Sequence, residues 1–160
     1  MSLNLGDPAP SFSLPNSEGK LVSLADFAGQ WLVIFFYPRD NTPGCTTEAC
    51  GFRDHYDRLQ GAGVALLGIN TDNEKSHQKF INKYNLPFPL LCDSDAAVAT
   101  RYESYGLKKF MGKEFMGIFR KSFIIDPSGN IAKIYPKVKP ANHSEEVLTD
   151  LTALQGTAAH

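Results

Sequence analysis

Two cysteines, Cys45 and Cys50, stand five residues apart in the stretch Pro38-Arg39-Asp40-Asn41-Thr42-Pro43-Gly44-Cys45-Thr46-Thr47-Glu48-Ala49-Cys50. Cysteine is a nucleophile as the thiolate, and a free thiol with a pKa of about 8.5 is only roughly 3% ionised at pH 7. Making the thiolate dominant takes about 3.4 kcal/mol of selective stabilisation. Thr42 suits a helix N-cap and Pro43 the first helical position, where its missing N–H matters little. Cys45 then falls in the first turn, where unpaired backbone N–H groups and the helix dipole favour an anion by ~1–2 kcal/mol. The shortfall calls for a nearby cation. Arg39 and Arg120 are the candidates.

Cys50 is informative for its distance. On an ideal helix, residues five apart rise about 7.5 Å and turn about 140°, which separates their Cα atoms by roughly 8.6 Å. Disulfides rarely bridge Cα atoms more than about 7 Å apart. The two thiols therefore cannot bond while the helix is intact. Gly51, directly after Cys50, lowers helix propensity by about 1 kcal/mol relative to Ala and eases local unwinding. The bland alternatives are a small packed residue at a helix start for Cys45 and a buried apolar thiol for Cys50. A metal site from Cys45, Cys50 and His55 is disfavoured, because five-residue steps scatter side chains around a helix. A Cys-x-x-Cys dithiol is absent.

The elements around this stretch follow from periodicity. Trp31 to Tyr37 is apolar on both faces, which predicts a central strand of a helix-covered parallel sheet. From Pro43 to Gln60, Ala49, Phe52, Tyr56 and Leu59 recur at helical steps until Gly61-Ala62-Gly63. Val64 to Asn70 predicts a second buried strand, and Asp72 or Asn73 caps a helix carrying His77, Phe80, Ile81 and Tyr84. Leu86 to Leu91 holds two prolines and suits a short edge strand. Ala96 to Tyr102 fits one or two helical turns. Residues 103 to 119 have no clean period and read as a long structured loop.

Residues 122–125 and 131–135 flank Asp126-Pro127-Ser128-Gly129-Asn130, a hairpin with explicit turn chemistry. A last helix starts near Ser144. At the front, residues 11–24 suggest a short opening hairpin. The order predicts an α/β, thioredoxin-like fold: a mixed central sheet flanked by helices, with an N-terminal hairpin. One domain is expected over residues 1–155, followed by a frayed tail, 156–160.

The totals narrow the function classes. A hydrophobic content of 42% and a charged content of 21% are those of a globular protein. A net charge of −1 offers no field for nucleic acid or an anionic membrane. The longest apolar stretch, Trp31 to Tyr37, is far too short to span a bilayer, and the first twenty residues lack a signal-peptide pattern. Three cysteines, an odd number, argue for a reducing compartment. The expectation is a cytoplasmic protein.

Pro38-x-x-x-Thr42-x-x-Cys45 resembles the peroxiredoxin active-site pattern, and the string from Tyr37 to Cys50 is similar to the bacterioferritin-comigratory, or Q-type, branch. The resemblance extends to Gly6-Asp7-Pro8-Ala9-Pro10-Ser11-Phe12, to residues 109–118, to Arg120 before Phe123-Ile124-Ile125-Asp126, and to His143. It implies a thiol peroxidase acting on hydrogen peroxide and organic hydroperoxides. In it Cys45 is the peroxidatic nucleophile, Thr42 holds thiolate and peroxide, Arg120 stabilises both, and Pro38 shields the pocket. It further implies that Cys50 resolves the sulfenic acid into an intramolecular disulfide, which a thioredoxin- or glutaredoxin-like dithiol reduces. No cofactor or metal is implied, and a monomer or weak homodimer suffices.

Lys121-Ser122 departs from the Ser-Thr more usual in the family. So does Cys92, which reads as a buried strand-end residue or as an alternative resolving thiol. Phe110, Met111, Phe115 and Met116 read as core, oligomer contact or a seat for an organic peroxide's tail. His55, His77 and His143 read as structural or surface residues. The alternative functions are a peroxide sensor relaying oxidation to a partner, and a general disulfide oxidoreductase.

Overall fold

The segment Trp31–Phe36 (β3) forms a strand because its alternating side chains bury in opposite directions. Val33 and Phe35 join one apolar cluster, and Leu32, Ile34 and Phe36 join another on the far face. The computed structural model describes residues 2–158, with two further strands of the same sheet at Val64–Asn70 (β4) and Leu90–Cys92 (β5). Lys121–Ile125 (β8) and Ile131–Tyr135 (β9) complete it. The order is β5-β4-β3-β8-β9, parallel from β5 to β3 and antiparallel from β3 to β9. This is the mixed sheet of a thioredoxin-like fold, with the expected N-terminal hairpin from Ser13–Pro15 (β1) and Leu21–Ser23 (β2).

Pro43–Asp54 (α1), Tyr56–Gly61 (α2), Glu74–Tyr84 (α3) and His143–Ala158 (α5) pack on the face that holds Phe35. Ala49, Phe52, Leu59, Phe80, Val147 and Leu151 supply the contact. The short helix Ala97–Arg101 (α4) and Phe12 cover the other face. In β4, Gly68 lets neighbours close in: a Cβ there would lie 2.7 Å from Leu90 and 2.8 Å from Phe35. Asn73 caps α3 as expected, its side chain accepting from the Ser76 N–H at 2.8 Å. Asp126 organises the β8–β9 turn by accepting from the N–H groups of Ser128 and Asn130, at 3.0 and 2.9 Å.

Two expectations are corrected. The helix predicted over 43–60 is two helices, broken at His55, whose ring meets the Gly51 carbonyl at 3.1 Å and the Ser144 hydroxyl at 2.9 Å. Residues 103–119 are not a loop. Tyr105–Phe110 (β6) and Lys113–Ile118 (β7) form a hairpin, turned by Met111 and Gly112, both at positive φ as a two-residue hairpin turn requires. Its tip projects from the body, so no buried face imposes alternation: Phe110 is 67% exposed and Met111 86%. Helix α5 runs past Gly156 to Ala158, and the rest of the expected tail lies outside the described residues.

Candidate active site

The chain leaves β3 at Tyr37, passes Pro38, which is half-buried, and enters α1 at Thr42, the N-cap in extended conformation. Pro43 opens the helix and puts Cys45 in its first turn, 1% exposed against the sheet. Arg120, just before β8, reaches the same spot. Its Nη2–H donates to Cys45 Sγ at 3.3 Å and its Nη1–H to Glu48 Oε1 at 2.8 Å. Of the two candidate arginines, Arg120 is thus the one that reaches Cys45, and Arg39 is exposed. Burial lowers the Arg120 pKa, but the charges of Glu48 and Cys45 outweigh it and keep the guanidinium charged. Gly44 leaves the room: a Cβ there would come within 3.1 Å of Arg120 Nη2.

Thr42 does not cap α1 with its side chain. Its hydroxyl donates to the Arg39 carbonyl at 2.9 Å, leaving the first backbone N–H groups of α1 without a side-chain cap. Asn41, in left-handed conformation, ties the loop to α3 by accepting from Lys83 at 3.3 Å and Tyr84 at 3.2 Å.

All three cysteines are free thiols. Cys50 lies half-buried in the intact body of α1, five residues from Cys45. Gly51 has a packing role as well as a flexible one, since a Cβ on it would sit 3.0 Å from Ser144 Oγ. Cys92 is buried at the end of β5, where it pairs in register with Asn70. Burial and the negative charges of Glu74, Asp40 and Asp72 push its thiol up to about 11.

With this geometry in view, similarity to known proteins decides the family. Residues 5–134 match the AhpC/TSA family. The chain is 47% identical over 146 residues to peroxiredoxin Bcp of Escherichia coli K12, covering 91% of this chain and 94% of that one. It is 42% identical over 151 residues to peroxiredoxin Bcp of Bacillus subtilis, covering 94% and 96%. Among solved structures, peroxiredoxin Q of Xanthomonas campestris superposes with a TM-score of 0.86 at 39% identity, covering 94% and 96%. A mutant PrxQ of Xylella fastidiosa superposes at 0.91 with 34% identity, covering 97% and 99%.

The chain is a peroxiredoxin of the Bcp/Q-type branch. As such it is a thiol peroxidase, and Arg120 holds both Cys45 Sγ and Glu48 at the start of α1. Glu48 was missed in the sequence although it stands three residues after Cys45, on the same helix face. Burial raises its carboxyl to about 7 against the opposing pull of Arg120, and its Oε2 has no hydrogen-bond partner among the described residues.

Of the three histidines read as structural or surface residues, His77 and His143 are buried and His55 is half-buried. His143 is buried, with Nε2 2.7 Å from Ser122 Oγ, which is a structural use for the unusual Ser122. His77 is also fully buried, between Asp40 and β5. The four apolar residues of the hairpin are exposed, so core packing is ruled out for them.

Proposed function

We propose that Cys45 is the peroxidatic cysteine, and the observation that carries this is the Arg120 guanidinium 3.3 Å from its sulfur at a helix N-terminus. The Cys45 thiolate attacks the nearer peroxide oxygen. The O–O bond breaks, the sulfur becomes a sulfenic acid, and the leaving oxygen departs as water or alcohol after taking a proton. Arg120 donors face the charge developing on sulfur and oxygen. Thr42 exchanges its bond to Arg39 for one to the peroxide, and half-buried Pro38 limits water access.

Cys50 then attacks the sulfenic sulfur, expelling water and forming the Cys45–Cys50 disulfide. This requires α1 to unwind from its start to Cys50. Cys92 is disfavoured as the resolving thiol because its surroundings hold it protonated. A thioredoxin- or glutaredoxin-like dithiol reduces the disulfide by exchange. Hydrogen peroxide and organic hydroperoxides are the substrates; the bacterioferritin comigratory protein of Xanthomonas campestris, 38% identical, is described for alkyl peroxide reduction. A single domain over 1–155, working as a monomer or weak homodimer in the cytoplasm, suffices for this cycle.

The test is peroxide consumption coupled to a thioredoxin system, followed by peptide mass spectrometry of the oxidised protein. Turnover with a Cys45–Cys50 linkage is expected. Stoichiometric oxidation without turnover would favour the sensor reading, and a Cys45–Cys92 linkage would move the resolving role.

A further inference from the structure

The loop that delivers Cys45 to its place is held from behind by one buried carboxylate. Asp40 Oδ1 accepts from the Tyr37 hydroxyl at 2.6 Å and from Asn70 Nδ2 at 3.1 Å. Its Oδ2 accepts from Ser76 Oγ at 2.8 Å and lies 2.6 Å from His77 Nδ1. The Asp40 backbone N–H in turn donates to Asp72 Oδ2 at 2.7 Å. Five residues, Tyr37, Asn70, Asp72, Ser76 and His77, thereby converge on Asp40, five positions before Cys45.

His77 is the unusual member. It is 0% exposed, and its other nitrogen, Nε2, lies 2.9 Å from the Leu91 carbonyl in β5. A carbonyl oxygen can only accept. A carboxylate already accepting from Tyr37, Asn70 and Ser76 is an acceptor as well. A neutral imidazole has one N–H and one lone pair, so it would aim that lone pair at an oxygen. With Asp40 ionised, only the doubly protonated ring satisfies both contacts.

The proton could sit on Asp40 instead, but the Tyr37 hydroxyl, Asn70 Nδ2 and the Ser76 hydroxyl already donate to its two oxygens, and donors gathered on a carboxyl favour its ionised form. The other charged groups beside this contact are Asp72, which accepts from the Asp40 backbone N–H, and Lys75 and Lys79 of α3, which line one cavity with Asp40 and Ser76.

We propose that His77 is a positioning residue for the peroxidase reaction: a buried imidazolium that bridges Asp40 of the peroxidatic loop to Leu91 of β5 and thereby fixes where α1 begins. The proposal rests on Cys45 being the peroxidatic cysteine. It assigns an ionic brace to the far side of the site from Arg120. Each cation holds one side of the loop–helix junction, Arg120 through the sulfur and His77 through Asp40.

The test starts with nitrogen-15 NMR of the histidine rings in the reduced wild-type protein at pH 7. Both His77 nitrogens are expected to carry hydrogen. In Asp40→Asn, whose amide can donate to Nδ1, His77 is expected to hold hydrogen on Nε2 alone. The second arm is the rate of Cys45 oxidation by hydrogen peroxide in His77→Gln, whose side chain cannot donate at both ends. A fall of roughly tenfold to a hundredfold is expected, the scale set by small misplacements of a reacting group.

A singly protonated wild-type His77, or a His77→Gln protein oxidised at the wild-type rate, would overturn the proposal. Should His77→Gln fail to fold, the ring protonation in wild type and in Asp40→Asn still decides it. Failure of the underlying reading looks different: wild-type Cys45 itself would not react.

Discussion

Cys45 and Cys92 are buried alike, at 1% and 4% exposure, and both belong to the same end of the sheet. Their surroundings are opposite in sign. Cys45 faces a guanidinium and the first N–H groups of α1, whereas Cys92 faces the field of Glu74, Asp40 and Asp72. Burial alone disfavours a thiolate at either site. The comparison therefore separates burial from charge: two thiols equally cut off from water are assigned different chemistry by the side chains that the fold brings to them.

The sharpest way to break this contrast is to remove the cation. Arg120→Met should lower the rate of Cys45 oxidation by peroxide about 10²–10³-fold, the scale for losing a donor to developing charge. Stopped-flow fluorescence with hydrogen peroxide reads it. An unchanged rate would mean that the helix terminus is enough by itself.

Next in size is the exchange of roles between the remaining thiols. Cys50→Ser should abolish the intramolecular disulfide and leave a sulfenic acid on Cys45 that dimedone traps. Cys92→Ser should leave disulfide formation intact. The reverse pattern in intact-mass spectra would end the assignment of Cys50.

Glu48 gives a smaller, pH-dependent effect. Its carboxyl is raised to about 7 in the folded protein, above the unfolded value of about 4.5, so the folded state binds its proton more tightly. This residue's contribution to stability is therefore greatest below about pH 4.5 and declines as pH rises to about 7. Glu48→Gln should flatten that part of the urea-midpoint profile between pH 5 and 8. An unaltered slope would show that Glu48 is not the titrating group.

The smallest effect is at Cys92. Burial dominates its raised thiol, with Glu74 the largest charge contribution, so Glu74→Gln should make it only modestly easier to alkylate. A large acceleration in timed iodoacetamide labelling would mean that charge, rather than burial, governs this site.

Much of the frame is legible without coordinates because it is local. The two-faced burial of β3 is written in Trp31 to Tyr37, and the cap of α3 in Asn73. The need for a cation at Cys45 is also legible, from the mismatch between what a thiolate requires and what a helix end supplies. Spacing alone leaves Arg39 and Arg120 open, and only the resemblance points to Arg120, which lies 75 residues away and is brought near by the β3–β8 pairing.

Glu48 was within reach of helical spacing; the Asp40–His77 contact was not, because it joins the β3–α1 loop to α3 across 37 residues. The β6–β7 hairpin escaped for another reason. Strand recognition leans on a buried face, and a hairpin held by its own backbone pairing and a two-residue turn leaves Phe110, Met111, Phe115 and Met116 in solvent.

In the proposed cycle, the forked hold of Arg120 on Cys45 and Glu48 would also order events in time. While the sulfur is an anion, the guanidinium fastens the first turn of α1 to β8, and the helix resists opening. Oxidation to the neutral sulfenic acid cancels one prong of that fork, leaving Glu48 as the remaining tie. Downstream, the His55 ring ties the end of α1 to α5 by meeting both the Gly51 carbonyl and the Ser144 hydroxyl. The segment that must come loose is thus bounded on one side by a chemical trigger and on the other by a hydrogen-bonded tie. Waiting and resolving become successive states of a helix end that reports its own sulfur's charge.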